Sequence, residues 1–315
     1  MFDEVPSVDS ETLSLLLENQ VELLSSSPLR GGCISEVSRV TLRCDRPDPG
    51  APYGARCSGE PRIDLVIKQH RADMVSNFGC EADGLAALAA ADVIRVPELY
   101  AGGVLTDRVV LATQWSPSGG RAANGFSDFG RQLARLHRAT SAPEHGWHRD
   151  NFLGSAHQPN EPRASWPDFF AEQRIGFQIR WATDQGLADP RLRGDCETIM
   201  AEMTRLLAGH TQQFSLLHGD LWSGNYLFDD AGNPALIDPA VYRGCREAEW
   251  GMITWMGGCP AEFQSAYQNE WPMNEGWQRR VLVYRLYHEL NHMNLFGGSY
   301  LNQAQRTMSS ILSTR

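Results

Sequence analysis

The stretch that most restricts how this chain can fold is LLHGDLWSGNYLFDDAGNPALIDPA, from Leu216 to Ala240. It alternates short apolar runs with polar loops. The segment DDAGN at 229–233 has turn chemistry, so the runs on either side are expected to pair as an antiparallel hairpin. Such a hairpin brings Asn225, before one arm, close to Asp238, after the other. Asp220 stands five residues before Asn225, and Asp238 thirteen residues after it.

Each of these residues alone reads as an ordinary turn or capping residue. Together they read as chemistry. A carboxylate on a loop after a short strand can take the proton of a substrate hydroxyl. An amide oxygen and a second carboxylate are hard ligands of the kind Mg2+ accepts, and Mg2+ keeps the rest of its shell for water and phosphate. An Asp base, an Asn five residues on and a metal-binding Asp after a further strand form the arrangement used for phosphoryl transfer.

The rest of the chain fits a two-part protein. Its 315 residues suggest about two domains or lobes, at roughly 100–200 residues each. With 42% apolar and 21% charged residues it is an ordinary globular composition. The net charge of -10 argues against a nucleic-acid partner. The acidic start, MFDEVPSVDSETLSLLLENQ, has no basic n-region and is not expected to be a signal peptide. No apolar run is long enough for a membrane span. The seven cysteines are scattered without a CxxC pair, so neither a zinc ribbon nor a disulfide framework is expected, and a cytoplasmic setting is.

Leucines at 13, 16, 17, 23 and 24 predict a helix over 9–25 with Ser10 as its cap. A Gly-Gly turn precedes a β-prone run, and the Gly- and Pro-rich residues 45–61 read as a loop or hairpin tip. RIDLVIKQH (62–70) predicts a strand with Ile63, Leu65 and Ile67 on one face and Lys68 on the other. A helix is expected over 80–92, and strands over 93–97 and 107–115. Residues 116–125 are the most linker-like and mark the expected boundary between an N-lobe, 1–115, and a C-lobe, 116–315. Beyond it the chain reads as mainly helical, interrupted by the 216–240 hairpin. The expected class is α+β, a β-rich lobe followed by a larger helical one.

HGDLWSGN with LIDPAVYRGCREAEW resembles the fructosamine (ketosamine) kinases, within the aminoglycoside-phosphotransferase and protein-kinase-like superfamily. GGCISEVSRV resembles the family's phosphate loop, LVIK and CEADGLAAL its Lys strand and Glu helix. GWHRDNFLGSAHQPN, SWPDFFAEQR and LYHELNHMNLFGGSY resemble further family segments, so the likeness covers most of the chain. HGDxxxxN…D is shared across the superfamily, whereas DLWSGN, IDPAxYxGxRE and the NHxNLFG-type end are narrower.

The resemblance implies a two-lobe protein-kinase-like fold and an ATP- and Mg2+-dependent transfer to a sugar hydroxyl of a ketosamine. It implies Asp220 as catalytic base and Asn225 and Asp238 as metal ligands. Lys68 would hold the α/β phosphates, oriented by Glu81. Gly31 and Gly32 would free backbone amides to approach phosphate, and Gln114, Trp115 and Ser116 would form the adenine-binding hinge. Cys33, beside the glycines, is a candidate redox site. Trp222 could stack on a sugar or pack the loop. Asn151, Gln158 and His218 are substrate-side candidates, with His218 favoured as a brace for the loop. His288 and His292 have metal-ligand spacing but no HExxH, which favours packing. Glu249, where relatives commonly have Asp, has no assigned role. Within the class the alternatives are an aminoglycoside or choline-like kinase. Outside it are a phosphohydrolase using His218, Asp220 and Asp238 as metal ligands, and a nucleotide-binding pseudokinase. Either a monomer or a homodimer is compatible with the sequence.

Overall fold

The computed structural model describes residues 8–18, 20–29, 35–44, 62–117 and 119–313. Helix α1 (Ser10–Leu16) is capped by Asp9, whose carboxylate accepts the Thr12 backbone N–H at 2.8 Å. The expected helix over 9–25 therefore stops early, and its cap is Asp9 rather than Ser10. The chain turns and continues as strand β1 (Val21–Pro28). Serine hydroxyls explain the break, because they offer the backbone partners outside a helix. Ser14 Oγ accepts the N–H of Val21 at 3.1 Å, and Ser10 Oγ that of Leu23 at 2.9 Å.

Strands β2 (Glu36–Cys44), β3 (Arg62–Arg71), β4 (Leu99–Leu105) and β5 (Arg108–Gln114) complete an antiparallel sheet of order β1-β2-β3-β5-β4. Period-two alternation gives β3 two unlike faces. Leu65 and Ile67 are buried with Leu13 and Leu16 of α1. Lys68 points the other way, toward α2 (Val75–Ala90), whose Phe78 packs on Val109 and Leu111 of β5. The strand expected over 93–97 is absent. That segment leaves α2 through Asp92, at φ +49°, and makes only an isolated bridge from Arg95 to Ala235.

The second part is helical: α3 (Gly125–Ala139), a short hairpin of β6 (Asn151–Leu153) and β7 (Ala156–Gln158), then α4 (Trp166–Phe169). A π-helical turn, Phe170–Gly176, leads into α5 (Phe177–Asp184). Helices α6 (Pro190–Ala201) and α7 (Met203–Leu206) follow. Four three-residue strands come next: β8 (Ser215–Leu217), β9 (Tyr226–Phe228), β10 (Pro234–Leu236) and β11 (Tyr242–Gly244). As expected, β9 and β10 pair antiparallel, while β8 pairs with β11. Helices α8 (Glu249–Met256), α9 (Ala261–Glu270), α10 (Trp277–Phe296) and α11 (Ser299–Ser313) end the described chain. One core joins α4–α7 to α10 and α11; another binds the end of α2 to α3, α8 and the hairpin. The architecture is the expected α+β pair of lobes, and no helix among the described residues is long and apolar enough to cross a membrane.

Candidate active site

Two short ladders aim the hairpin residues at one place. The pair β8–β11 ends where residues 218–220 begin, and β9–β10 holds the two arms between Asn225 and Asp238. Backbone bonds tie the segments together: Ala240 N–H to His218 O at 2.9 Å, and Ile237 N–H to Asn225 O at 3.0 Å. Gly219 permits this closeness. It sits at φ +82°, and a Cβ there would lie 2.1 Å from Ala240 O.

A cleft of about 400 Å³ opens between the sheet and the helices, lined by Lys68, Glu81, Asp220, Trp222, Asn225 and Asp238 among others. At its sheet side the Lys68 ammonium is gripped by Glu81 Oε1 and Oε2 at 2.7 and 2.9 Å and by Asp238 Oδ1 at 2.8 Å. Burial alone would lower the pKa of Lys68. Glu81 and then Asp238 outweigh it and hold the pKa above its ordinary value, so the lysine is a fixed cation. Asp238 adopts φ +53°, a left-handed conformation with a cost of about 1–3 kcal/mol that its surroundings must impose.

Across the cleft, Asn225 Nδ2 donates to the carbonyl of Asp220 at 2.8 Å and to its Oδ2 at 2.9 Å. A backbone carbonyl only accepts, so the amide orientation is determined and Asn225 Oδ1 is the lone-pair face. Burial pushes Asp220 up to about 7; the Asn225 bond opposes this, and the Asp238 and Glu249 charges add to it. A carboxylate with that pKa can take a proton near neutrality.

The donor set fits a magnesium ion carried with a phosphate ligand. Lys68 is the one lysine or arginine among the described lining residues, against Glu81, Asp220 and Asp238. A polyanion entering such a site needs further positive charge. Asn225 Oδ1 and the Asp238 carboxylate are hard oxygen donors, too few for a self-sufficient metal site. Accordingly, no group of three His, Cys, Asp or Glu side chains suited to a metal occurs among the described residues.

The family model for fructosamine kinase matches residues 8–314. The chain belongs to the fructosamine kinase family. It is 36% identical over 306 residues to a probable ketoamine kinase of Vibrio parahaemolyticus, covering 96% of this chain and 98% of that protein. It is 34% identical over 287 residues to the chloroplastic protein-ribulosamine 3-kinase of rice, Oryza sativa, covering 91% and 78%. The crystal structure of a fructosamine-3-kinase candidate from Haemophilus somnus superposes with a TM-score of 0.80 at 26% identity, over 96% of each chain.

Other expected site residues of this fructosamine kinase family member fall differently. Gly31, Gly32 and Cys33 lie outside the described residues. Gln114 ends β5 and Trp115 and Ser116 follow it; none of the three lines the cleft, and two of their N–H groups are engaged: Gln114 with Glu98 O at 2.8 Å, Trp115 with Asp64 O at 3.1 Å. Trp222 packs the loop and also borders the cleft. Its ring lines the cleft and covers Gly224, where a Cβ would lie 2.4 Å from it.

His218 is not a substrate-side residue. It is fully buried, its Nε2 donates to Ile237 O at 2.8 Å, and its Nδ1 accepts from Asp220 N–H at 3.3 Å. With both nitrogens engaged it braces the loop and cannot join a metal set with Asp220 and Asp238, which removes the basis of the phosphohydrolase alternative. Asn151 reaches the cleft wall, but its amide is engaged inside the protein. Nδ2 donates to Val241 O at 2.7 Å, and Oδ1 accepts from Gln158 at 2.7 Å and Asn160 at 2.8 Å. Gln158 is buried in the same network, held by Tyr287 Oη at 2.9 Å. His288 is buried packing, as expected; His292 lines the cleft.

The residue that sequence reasoning missed is Glu249, at the start of α8. Its carboxylate accepts the N–H groups of His218 at 2.7 Å and Gly219 at 3.0 Å, and His137 Nε2 lies 3.5 Å away. Burial works against this charge, yet His137 and His218 hold its pKa below the usual carboxylate value. The sequence signal was the short distance of REAEW from the hairpin; its partners are backbone atoms, which no side-chain pattern displays.

Proposed function

We propose that this protein transfers the γ-phosphoryl group of ATP to a sugar hydroxyl of a ketosamine. One observation carries this reading: the Lys68–Glu81–Asp238 cluster and the Asp220–Asn225 pair face each other across a single cleft. The family membership and the names of the relatives, ketoamine kinase and protein-ribulosamine 3-kinase, support the acceptor class.

In this reading Lys68 binds the nucleotide phosphates and Glu81 keeps its ammonium in place. Asn225 Oδ1 and Asp238 hold Mg2+, which when bound neutralises charge on the transferred phosphoryl group. Asp220 orients the acceptor hydroxyl and takes its proton. Trp222 covers the sugar. The segment Gln114–Ser116 meets adenine through groups other than the two engaged N–H donors, and the lobes divide between 115 and 116. Positioning and electrostatics, rather than covalent catalysis, supply the rate.

The test is ADP release by purified protein with Mg-ATP over a panel of ketosamines, aminoglycosides and choline, run beside Asp220→Ala. Turnover is expected with ketosamines. Asp220→Ala is expected to keep nucleotide affinity and lose turnover by orders of magnitude, whereas Asp238→Ala weakens Mg-ATP binding too, because it removes a charged ligand. Stabilisation by Mg-ATP with no turnover on any acceptor would point instead to a pseudokinase.

A further inference from the structure

Asn291, on α10, is 1% exposed and lines the cleft. Its Oδ1 accepts from Gln178 Nε2 at 3.0 Å, while its Nδ2 has no hydrogen-bond partner. A chain of amides determines this orientation. Asn294 Nδ2 donates to the backbone carbonyl of Gln178 at 2.9 Å and to its Oε1 at 2.7 Å. A backbone carbonyl can only accept, so the nitrogen of Asn294 must face it. Gln178 then accepts through Oε1 and donates through Nε2. Asn291 must receive that bond on Oδ1, which leaves Nδ2 as a buried, unmatched donor on a residue of the cleft wall. A buried unpaired amide donor costs about 1–3 kcal/mol, and such a group calls for a ligand.

The next residue supplies the complementary atom. His292 also lines the cleft, and its Nδ1 lies 3.0 Å from His288 O. That nitrogen must carry the proton, so Nε2 bears a lone pair. One wall thus presents a donor and an acceptor, the pair that a hydroxylated ligand satisfies. An ammonium has donors only and cannot answer Asn291.

We propose that Asn291 reads the sugar of the phosphoryl acceptor, its Nδ2 donating to one of the sugar oxygens while Gln178 and Asn294 hold the amide in that orientation. The inference rests on the ketosamine kinase reading of the same cleft and names a residue for its acceptor side. The experiment is steady-state kinetics with a ketosamine and Mg-ATP, with thermal unfolding as a control. Wild-type protein inactive on every ketosamine would end the functional reading and this inference with it. Given wild-type turnover, Asn291→Ala is expected to raise KM for the ketosamine about 10-fold, the loss of one hydrogen bond, and to leave KM for Mg-ATP unchanged. Asn291→Asp is isosteric and keeps the acceptor for Gln178, and thermal unfolding reads what its buried carboxyl costs the fold. This variant presents lone pairs where Nδ2 stood, and the same rise is expected. An unchanged ketosamine KM in both variants, or a parallel rise in KM for both substrates, overturns the assignment while leaving the kinase reading intact.

Discussion

Gly219 shows how narrowly single residues constrain this site. Its left-handed φ and the nearby Ala240 carbonyl leave no room for a side chain. Gly219→Ala is expected to cost at least about 2 kcal/mol of stability, read as a shift in the urea midpoint, together with a large fall in turnover. Glu249 acts on the same loop from outside. Glu249→Ala leaves two buried backbone N–H groups unpaired and is expected to cost about 3 kcal/mol. Glu249→Gln keeps one acceptor and should lose about half of that, measured in the same unfolding assay. The residues legible in advance, Asp220, Asn225 and Asp238, sit within one hairpin, where spacing along the chain nearly determines spacing in space. The face of Lys68 was legible from the strand's period of two, and its pairing with Glu81 was implied by the family resemblance. Glu249 and Asn291 were not, since their partners, at 218–219 and 178, are remote in sequence.

Among the elements, α1 was not legible to its C-terminal end. The leucine pattern continued past Leu17, but serine hydroxyls and pairing with β2 took the following residues into a strand. The position of α10 depends on an ion pair that no pattern announces. Arg280 Nε and Nη2 donate to Glu247 Oε2 and Oε1, both at 2.6 Å, with both side chains almost fully buried. Glu247→Gln removes the compensating charge and is expected to cost about 3 kcal/mol. Replacing both partners with Leu and Met should cost much less, and a double-mutant cycle of urea unfolding checks this. A double variant as unstable as the single one would show that the pair matters for shape rather than charge.

For the molecule as a whole, buried histidines tie stability to pH. Burial lowers the pKa of His137, His218 and His288, the last to about 3. An unfolded chain takes up these protons first, so their contribution is complete above about pH 6.5 and declines as the pH falls toward 3. Asp220, raised to about 7, opposes this by binding its proton in the folded state. A difference measurement separates the two. The unfolding free energy of wild type minus that of His288→Leu is expected to fall by about 2 kcal/mol between pH 7 and pH 5. A flat difference would place His288 in contact with solvent.

The β-rich first part, the helical second part, the 216–240 hairpin and the spacing of Asp220, Asn225 and Asp238 were legible in sequence alone, because each depends on neighbours along the chain or on a short period. Tertiary structure decided which buried polar atoms pair. It made His218 a brace, engaged Asn151 and Gln158 inside a network, gave Glu249 two backbone partners and left Asn291 Nδ2 without one. A hydrogen bond depends on ångström-scale approach between groups far apart in sequence, and only the packed core sets that distance.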